Sequence, residues 1–296
     1  MTEALSDLVA AELAQPVDVR VSAMAAAIAA QYPQAARAVL FYGSCLRSAQ
    51  LDGLMLDFYL IVSRYEDAYG KSWLAGANRL IPPNVFPFRA GDLAAKFAVL
   101  SEADFARECG PRARSVSVWA RFAQPSRLVW SADAEAKRKV VAAVAKAAPT
   151  LLELALPVRS ASNGDVLALW RDGFSRTYRA ELRAERTDRS GSIVDAEPER
   201  YRRFGEAALR SLEGRRPRSA GEAAAAWKRL QRRGKILSVL RLAKASFTFA
   251  GGVDYLAWKV SRHSGQKVDI RPWHRRFPLV AAVVLLPRLL ARGAIR

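Results

Sequence analysis

The first half of the chain contains two kinds of segment in alternation: continuous apolar runs, and segments whose apolar residues recur every three to four positions. Nearly continuous apolar runs are typical of strands buried on both faces, and a repeat of three to four residues is typical of amphipathic helices. The predicted strands are 38–42, 54–62 and 93–101. The predicted helices are 3–15, 19–31 and 64–80. Strands and helices therefore mix within one region.

Shorter signals refine this pattern. Ser101 is predicted to cap a helix that begins at the next residue, with Asp104 at the third helical position. The segment 81–88, IPPNVFPF, predicts a loop because three of its eight residues are proline. Two short extended pieces, 117–122 and 127–131, are predicted on either side of a Gln-Pro turn.

The second half is predicted to be mainly helical from about Lys137 onward. The segment 186–203 is polar and rich in turn formers, which predicts a loop, and 213–222 predicts an irregular connection. The whole pattern indicates an α+β fold: a sheet-and-helix domain at 1–135, a mainly helical domain at 136–265, for which a winged-helix-like arrangement is one option, and a tail at 266–296.

A long amphipathic helix is predicted over 223–247. Its apolar side is predicted to carry Leu230, Ile236, Leu237, Leu240 and Phe247. Its basic side is predicted to carry Arg233, Arg241 and Lys244.

Net charge is the unusual bulk property. The chain has 47 Lys and Arg against 28 Asp and Glu, a formal charge of +19, and the surplus accumulates from Arg107 onward. Such a balance favours a polyanion or an anionic membrane surface as partner, and it also attracts small anionic substrates. A general preference of the source proteome for arginine is the alternative explanation.

Cysteine content and the termini bear on the compartment. Cys45 and Cys109 form neither a metal-binding spacing nor a disulfide framework, which predicts a reducing compartment. The N-terminus has no signal-peptide pattern, and no stretch is expected to span a bilayer, because Pro287 and Arg288 interrupt the apolar run 277–290. We expect a cytoplasmic protein that docks on the inner membrane surface through its basic and apolar tail. Alternatively, 277–290 is a helix packed on the core.

One carboxylate stands out in the apolar run 54–62. A buried Asp57 must be neutralised, hydrogen-bonded or bound to a metal, because an unpaired buried charge is costly. The turn Gly43-Ser44 ends the preceding strand, and such a turn offers backbone N–H groups and a hydroxyl to an anion. An aspartate on the next strand could then hold Mg²⁺ against a triphosphate. An ordinary hairpin with a hydrogen-bonded aspartate is the alternative.

These residues resemble the pattern of the nucleotidyltransferase (polymerase-beta-like) superfamily, a Gly-Ser turn followed by an aspartate pair. Tyr59 stands where the second carboxylate is usual. Several segments between about 40 and 265 are similar to one branch, the mitochondrial-type phosphatidate cytidylyltransferases of the translocator assembly and maintenance family. They are FYGSCL, MLDFYLIV, KFAVLS, WARFAQP and GKILSVLRLAKASFTFAGGVDYLAWKVSRHSG. That branch also has Met-Leu-Asp-Phe before an apolar residue.

The resemblance implies a mixed nucleotidyltransferase sheet and a metal-dependent reaction. CMP would pass from CTP to phosphatidic acid, giving CDP-diacylglycerol and pyrophosphate. The implied cofactor is Mg²⁺, and the implied partners are CTP, phosphatidic acid and an anionic membrane surface. We expect no nucleic-acid partner, and the sequence does not indicate an oligomeric state.

The candidate site residues follow from the turn, the strand and the resemblance. Asp57 is the first metal ligand and catalytic residue, Asp52 is a second candidate for both roles, and Asp92 is a third metal-ligand candidate; for the latter two a solvated turn aspartate is the alternative. The candidate nucleotide- and phosphate-binding residues are Gly43, Ser44, Lys96, Arg121, Arg79 and Asn84. A solvent-exposed strand end is the alternative for Lys96, and a salt bridge is the alternative for Arg121.

Two other functions remain open at this point. One is a nucleotidyltransferase that acts on RNA or on a small hydroxyl acceptor. The other is a non-catalytic binding protein that kept the fold, since a single carboxylate is an incomplete metal site.

Overall fold

A computed structural model describes residues 4–48, 50–70, 72–159, 164–181 and 189–248. The strands are β1 (Ala36–Tyr42), β2 (Met55–Val62), β3 (Asn84–Ala90), β4 (Leu93–Ser101) and β5 (Ser126–Ser131). The helices before β5 are α1 (Leu5–Leu13), α2 (Val19–Ala30), α3 (Ser44–Ser48), α4 (Tyr65–Tyr69), α5 (Trp73–Leu80), α6 (Glu102–Glu108) and α7 (Trp119–Phe122). Those after it are α8 (Ala134–Val144), α9 (Ala147–Ala155), α10 (Val166–Arg179), α11 (Arg189–Ala196), α12 (Pro198–Arg210) and α13 (Ala220–Thr248).

The five strands form one mixed sheet in the order β3-β4-β2-β1-β5. Strand β2 pairs antiparallel with β1 and parallel with β4, while β3 and β5 are antiparallel edge strands. The three predicted apolar strands are therefore the three central ones, as their continuous apolar runs require. The mixed sheet and its surrounding helices confirm the predicted α+β class.

The loop predicted at 81–88 is wrong over most of its length, because β3 begins at Asn84. A proline can sit in an edge strand, where its missing N–H breaks no ladder on the open side. Pro87 lies in β3 at the sheet edge, opposite Lys96 of β4. The extended piece predicted at 117–122 is also wrong, since Trp119–Phe122 is a helical turn, whereas the piece at 127–131 is β5.

Of two local predictions, the helix cap at Ser101 is confirmed and the single helix at 64–80 is not. The predicted cap is confirmed, because the hydroxyl of Ser101 accepts a hydrogen bond of 3.2 Å from the backbone N–H of Asp104. The single helix predicted at 64–80 is two helices, α4 and α5, because Gly70 adopts a positive φ of 60° and ends the first.

Every described element from Ala134 to Thr248 is helical. The loop predicted at 186–203 is wrong for the residues that the structure describes there, which form α11 and the start of α12. Pro198 occupies the first turn of α12, where a proline starts a helix rather than breaking it. The helices share one apolar core with a face of the sheet: Tyr59, Leu151 and Trp227 belong to the same cluster.

Helix α13 confirms the predicted long helix and part of its predicted polarity, since Arg233 is exposed and Leu230 packs against the core. Other positions have the opposite exposure to the one predicted. Lys244 is only 7% exposed, whereas Ile236 is 60% and Leu240 is 41% exposed. The side chain of Phe247 and the segment 249–296, including the tail at 266–296, lie outside the described residues. Backbone carbonyls of the loop 81–83 accept hydrogen bonds from the cations of this helix, and these acceptors make their burial possible.

The run Ala134–Val158 is long and apolar enough to cross a membrane, with a mean hydropathy of 1.5, which corrects the expectation that no stretch is. In the folded protein 61% of its apolar window is buried. A turn between α8 and α9 divides the run. Its apolar side chains serve the protein core, in which Val140, Leu151 and Leu152 are buried.

A buried ion pair joins α1, the first helix, to α12 in the second half of the chain. Arg200 of α12 donates to both carboxylate oxygens of Glu12 of α1, one at 2.8 Å. The side chains are 9% and 10% exposed, so each charge depends on the other. Removing one partner of such a pair leaves an uncompensated buried charge.

Replacing this arginine tests that dependence. Arg200→Met should lower the free energy of unfolding by about 3 kcal/mol, because Glu12 stays buried without its partner. Arg202→Met is the matched control, since Arg202 pairs with Glu199 at the surface, and should cost about 0.5 kcal/mol or less. Urea unfolding of both variants gives the measurement. Equal losses would contradict the importance of the buried pair.

Candidate functional site

The site is built on the third residue of β2. In the sheet register Asp57 lies opposite Tyr42 of β1 and opposite Lys96 of β4. Side chains at paired positions point to the same face of a sheet, so these three groups converge there. Their face is the one covered by the helices of the second half of the chain, because Tyr59, two residues further along β2, packs in that core.

The Gly43-Ser44 turn lies directly against the Asp57 carboxylate. Gly43 follows β1 with a φ of 97°, and a Cβ placed on it would be 3.1 Å from Oδ2 of Asp57. Positive φ and the close carboxylate both favour glycine. The predicted turn is confirmed, and Ser44 begins the five-residue helix α3. The turn and the aspartate therefore form one local unit.

Lys96 pairs with the carboxylate of Asp57, which is partly buried. Its Nζ lies 3.0 Å from Oδ1 of Asp57, and the two side chains are 26% and 20% exposed. This ion pair explains how the strand accommodates the charge of Asp57 among apolar residues. A contact between Lys96 and a phosphate stays a prediction. One carboxylate oxygen faces Lys96, and the other faces the Gly43 turn.

Tyr59 fills the position of the missing second carboxylate. Its ring is 3% exposed and packs 5.3 Å, between ring centroids, from both Tyr42 and Phe122. Burial raises the pKa of the Tyr42 phenol well above its ordinary value, and the negative charge of Asp57 raises it further. Both phenols are therefore neutral at physiological pH and can donate hydrogen bonds.

Arg121 approaches the same face from α7. It donates to the backbone carbonyl of Ser117, and its Nη1 is 3.6 Å from Oε1 of Glu181. Burial alone would lower the pKa of Arg121, yet the opposing charge of Glu181 raises it overall, so the guanidinium stays charged. Glu181 is buried and also accepts a hydrogen bond from the hydroxyl of Ser117. The salt-bridge alternative for Arg121 is therefore present in the structure.

Two cations of α13 complete the cluster. Arg241 donates to the carbonyl of Pro82 at 2.7 Å, to Oγ of Ser117 at 2.7 Å and more weakly to Oγ of Ser115 at 3.4 Å. Lys244 donates to the carbonyl of Pro83 at 2.9 Å and to that of Ile81. Helix α13 thereby ties the loop before β3 to the segment before α7.

Burial strongly affects the acidity of Lys244. Burial is the main cause and the neighbouring positive charge of Arg241 is the second, and together they lower the pKa of the ammonium from 10.5 to about 7. The pKa of Arg241 is likewise lowered by burial, although Glu181 opposes this. Their hydrogen-bond acceptors are neutral carbonyls and hydroxyls, which do not cancel the charge.

The other two carboxylate candidates lie away from Asp57. Asp52 is at the surface, where Oδ1 pairs with Arg20 at 3.0 Å and the side chain is 77% exposed. Asp92 lies in the exposed turn before β4, four residues and about 13 Å of strand before Lys96. The structure therefore brings neither candidate together with Asp57.

Arg79 and Asn84 have structural partners elsewhere. Arg79 pairs with Glu66 at the surface. Asn84 is fully buried and donates from Nδ2 to the carbonyl of Leu74 at 3.1 Å, which fastens α5 to β3. It stands three residues along β3 from Pro87, the residue opposite Lys96, so it is about 10 Å from the centre of the site.

Sequence reasoning missed three members of the cluster: Glu181, Arg241 and Lys244. The weak signal was the position of Arg241 and Lys244 beside apolar residues of α13, which also fits a solvated helix face. Ser117 and Glu181 are separated by 64 residues, and no local pattern connects them.

A magnesium ion finds one protein carboxylate at this site. Among the described residues no group of three or more His, Cys, Asp or Glu could hold a metal. Mg²⁺ is often held by one or two carboxylates, with substrate phosphates and waters as the other ligands. Asp57 fits that limited role, provided that the nucleotide and water supply the remaining oxygens.

The contact between the turn and the aspartate can be tested with two glycines. Gly43→Ala should destabilise the protein by about 2 kcal/mol or more, since it adds a clash with the carboxylate to the strain of positive φ. Gly53→Ala is the control, because Gly53 has a φ of 71° but nothing within 4 Å of an added Cβ; it should cost about 1 kcal/mol. The measurement is the free energy of unfolding of the two variants. Equal losses in Gly43→Ala and Gly53→Ala would contradict the close contact with Asp57.

The buried Lys244 predicts a pH dependence of stability. The unfolded chain binds this proton below about pH 10.5, and the folded chain binds it only below about pH 7. Stability should therefore rise as pH increases from 7 to 9, by at most about 1.4 kcal/mol per pH unit from this group.

Lys244→Met should remove that rise, whereas Lys235→Met should keep it because Lys235 is exposed on the same helix. Urea unfolding at several pH values provides the measurement. The same slope in wild type and Lys244→Met would contradict the depressed pKa.

Comparisons with known proteins add no family assignment. Neither a scan against protein-family models nor a search of curated proteins finds a match to this chain. The candidate function therefore depends on the resemblance of the sequence segments and on the geometry around Asp57.

Proposed function

We propose that this protein is a phosphatidate cytidylyltransferase, which transfers CMP from CTP to phosphatidic acid and releases pyrophosphate. One observation carries the proposal: the carboxylate of Asp57 lies against the Gly43-Ser44 turn, at the same end of the sheet as Lys96. A turn that can receive phosphates beside a carboxylate is the local arrangement that nucleotidyl transfer needs.

The reaction is an in-line displacement at the α-phosphorus of CTP. An oxygen of the acceptor phosphate forms the new P–O bond, and the bond between the α-phosphorus and the bridging oxygen breaks. The electron pair of that bond leaves with pyrophosphate. The acceptor phosphate is already anionic near neutral pH, so the site needs no strong general base.

The residues of the chain have the following roles in this proposal. The backbone of Gly43 and Ser44 receives the phosphates of the nucleotide, and Lys96 and Arg121 balance the negative charge on the reacting phosphates. Bound Mg²⁺, held by Asp57, would neutralise charge on the triphosphate. Tyr42 and Tyr59 close the site beneath these groups with neutral rings.

The proposed lipid acceptor requires contact with a membrane. The segment proposed for this contact, the tail at 266–296, lies outside the described residues, so peripheral association with the inner membrane surface stays part of the proposal. The formal charge of +19 supports attraction to an anionic surface.

A nucleotide-binding protein without catalysis is the second candidate. The ion pair between Asp57 and Lys96 favours it, because a carboxylate satisfied by lysine needs no metal. Binding of CTP without turnover would support this candidate.

A transfer assay tests the proposal. The full chain receives labelled CTP and Mg²⁺ with phosphatidic acid in mixed micelles, or with RNA in a parallel reaction. We expect CDP-diacylglycerol from the lipid reaction, and Asp57→Asn should reduce its rate about 100-fold or more. Asp67→Asn is the control, since Asp67 pairs with Arg64 on the surface. Product with RNA alone, or an active Asp57→Asn, would contradict the proposal.

A further inference from the structure

Three cations gather over one face of the sheet. Arg121 and Arg241 both contact Ser117, the former at its carbonyl and the latter at its hydroxyl. Lys244 lies one helical turn beyond Arg241 and binds the same 81–83 loop. The charges of Arg121 and Arg241 both reach the phenol of Tyr59, and the charge of Arg121 interacts with Asp57. The cluster therefore adjoins the candidate site.

The charges within this cluster do not balance. Among the described residues, Glu181 is the carboxylate within ion-pair distance of Arg121, and neither Arg241 nor Lys244 has a carboxylate within 4 Å. Glu108 also faces Arg241, but it pairs with Arg107. Asp57 pairs with Lys96. When these pairs are set aside, three cations face one carboxylate among the residues that the structure describes.

Uncompensated charge in a buried position is costly, and hydrogen bonds to neutral oxygens reduce that cost only partly. The lowered pKa of Lys244 reflects this deficit, because burial and Arg241 both disfavour the charged form. An anion bound beside these groups would restore the balance and raise that pKa.

The hydrogen-bond capacity of the cluster is also incomplete. Arg241 uses Nε, Nη1 and Nη2 once each, so two of its five N–H groups have no partner among the described residues. Lys244 uses two of its three N–H groups on acceptors within the described part of the chain. These side chains therefore keep N–H groups beyond those that anchor the loop. A phosphate has several acceptor oxygens and can accept hydrogen bonds from more than one such side chain at once.

We propose that Arg121, Arg241 and Lys244 form a binding site for a phosphate monoester, separate from the turn at Gly43. The evidence for an anion site is the charge and the hydrogen-bond capacity of these three side chains, and it does not depend on the proposed function. Its assignment as the site for the headgroup of the acceptor lipid rests on the proposed function, in which the acceptor phosphate must lie beside the α-phosphate of the nucleotide.

Binding of inorganic phosphate to the full chain tests the site. Calorimetric titration at constant ionic strength should show saturable binding in the wild type. Lys244→Gln and Arg241→Gln should each weaken it about tenfold or more. Arg233→Gln is the matched control, because Arg233 is exposed on the same helix, and it should bind as the wild type does. Equal affinities in all four proteins would overturn the proposal.

A second measurement begins with the wild type, whose result tests the site even where the variants do not fold. Because inorganic phosphate itself titrates near pH 7, the proton count is made with sulfate, which does not. Sulfate binding should take up a fraction of a proton at pH 7.5 through Lys244, visible as a dependence of the binding enthalpy on the ionisation enthalpy of the buffer. The Lys244→Gln variant should lose this uptake. Absence of saturable phosphate binding by the wild type would overturn the site directly.

Measuring transfer activity and phosphate binding separately distinguishes this proposal from the proposed function. Asp57→Asn should lose transfer activity and still bind phosphate, since Asp57 is not a member of the cluster. Phosphate binding without any transfer activity would contradict the proposed function alone, and transfer without phosphate binding would contradict the site alone. Soluble short-chain phosphatidic acid should compete with inorganic phosphate if the natural source is a lipid headgroup, and failure to compete would overturn that assignment.

Discussion

The ion pair between Asp57 and Lys96 is the interaction on which the rest of the site depends. A partly buried carboxylate near the start of an otherwise apolar strand is stabilised by an opposite charge, and the parallel pairing of β2 with β4 places Lys96 directly beside it. With the carboxylate held there, Gly43 can approach its second oxygen only because it lacks a Cβ. A shift of either strand by one residue would point Asp57 and Lys96 to opposite faces.

Around this pair the helical half of the chain supplies positive charge. Arg121 comes from a short helix just before β5, and Arg241 and Lys244 come from α13, more than a hundred residues later. Serine hydroxyls and backbone carbonyls hold these cations in place, and Glu181 is the carboxylate that faces them. The sheet and α13 are thus joined by polar contacts at the point where the sheet carries its own charges.

Sequence patterns predicted the central strands well, because each is a continuous apolar run between turn residues. The cap at Ser101 and the turn at Gly43 were also predictable, since their chemistry is local. Strand β3 was missed because Pro87 is read as a breaker unless the edge position of the strand is known. Helix α11 and the start of α12 were missed because their polar composition matches that of a loop, although Val194 and Tyr201 are buried.

By itself the sequence determined the α+β class, the three central strands, the turn at Gly43 and the presence of a carboxylate that needs a partner. These features depend on near neighbours along the chain, on apolar periodicity and on backbone conformation. Only the tertiary structure decided which partner Asp57 has, where Asp52 and Asp92 lie, and which side of α13 is buried. Those outcomes depend on strand register and on acceptors such as the carbonyls of Pro82 and Pro83, which the chain brings to α13 from some 160 residues away.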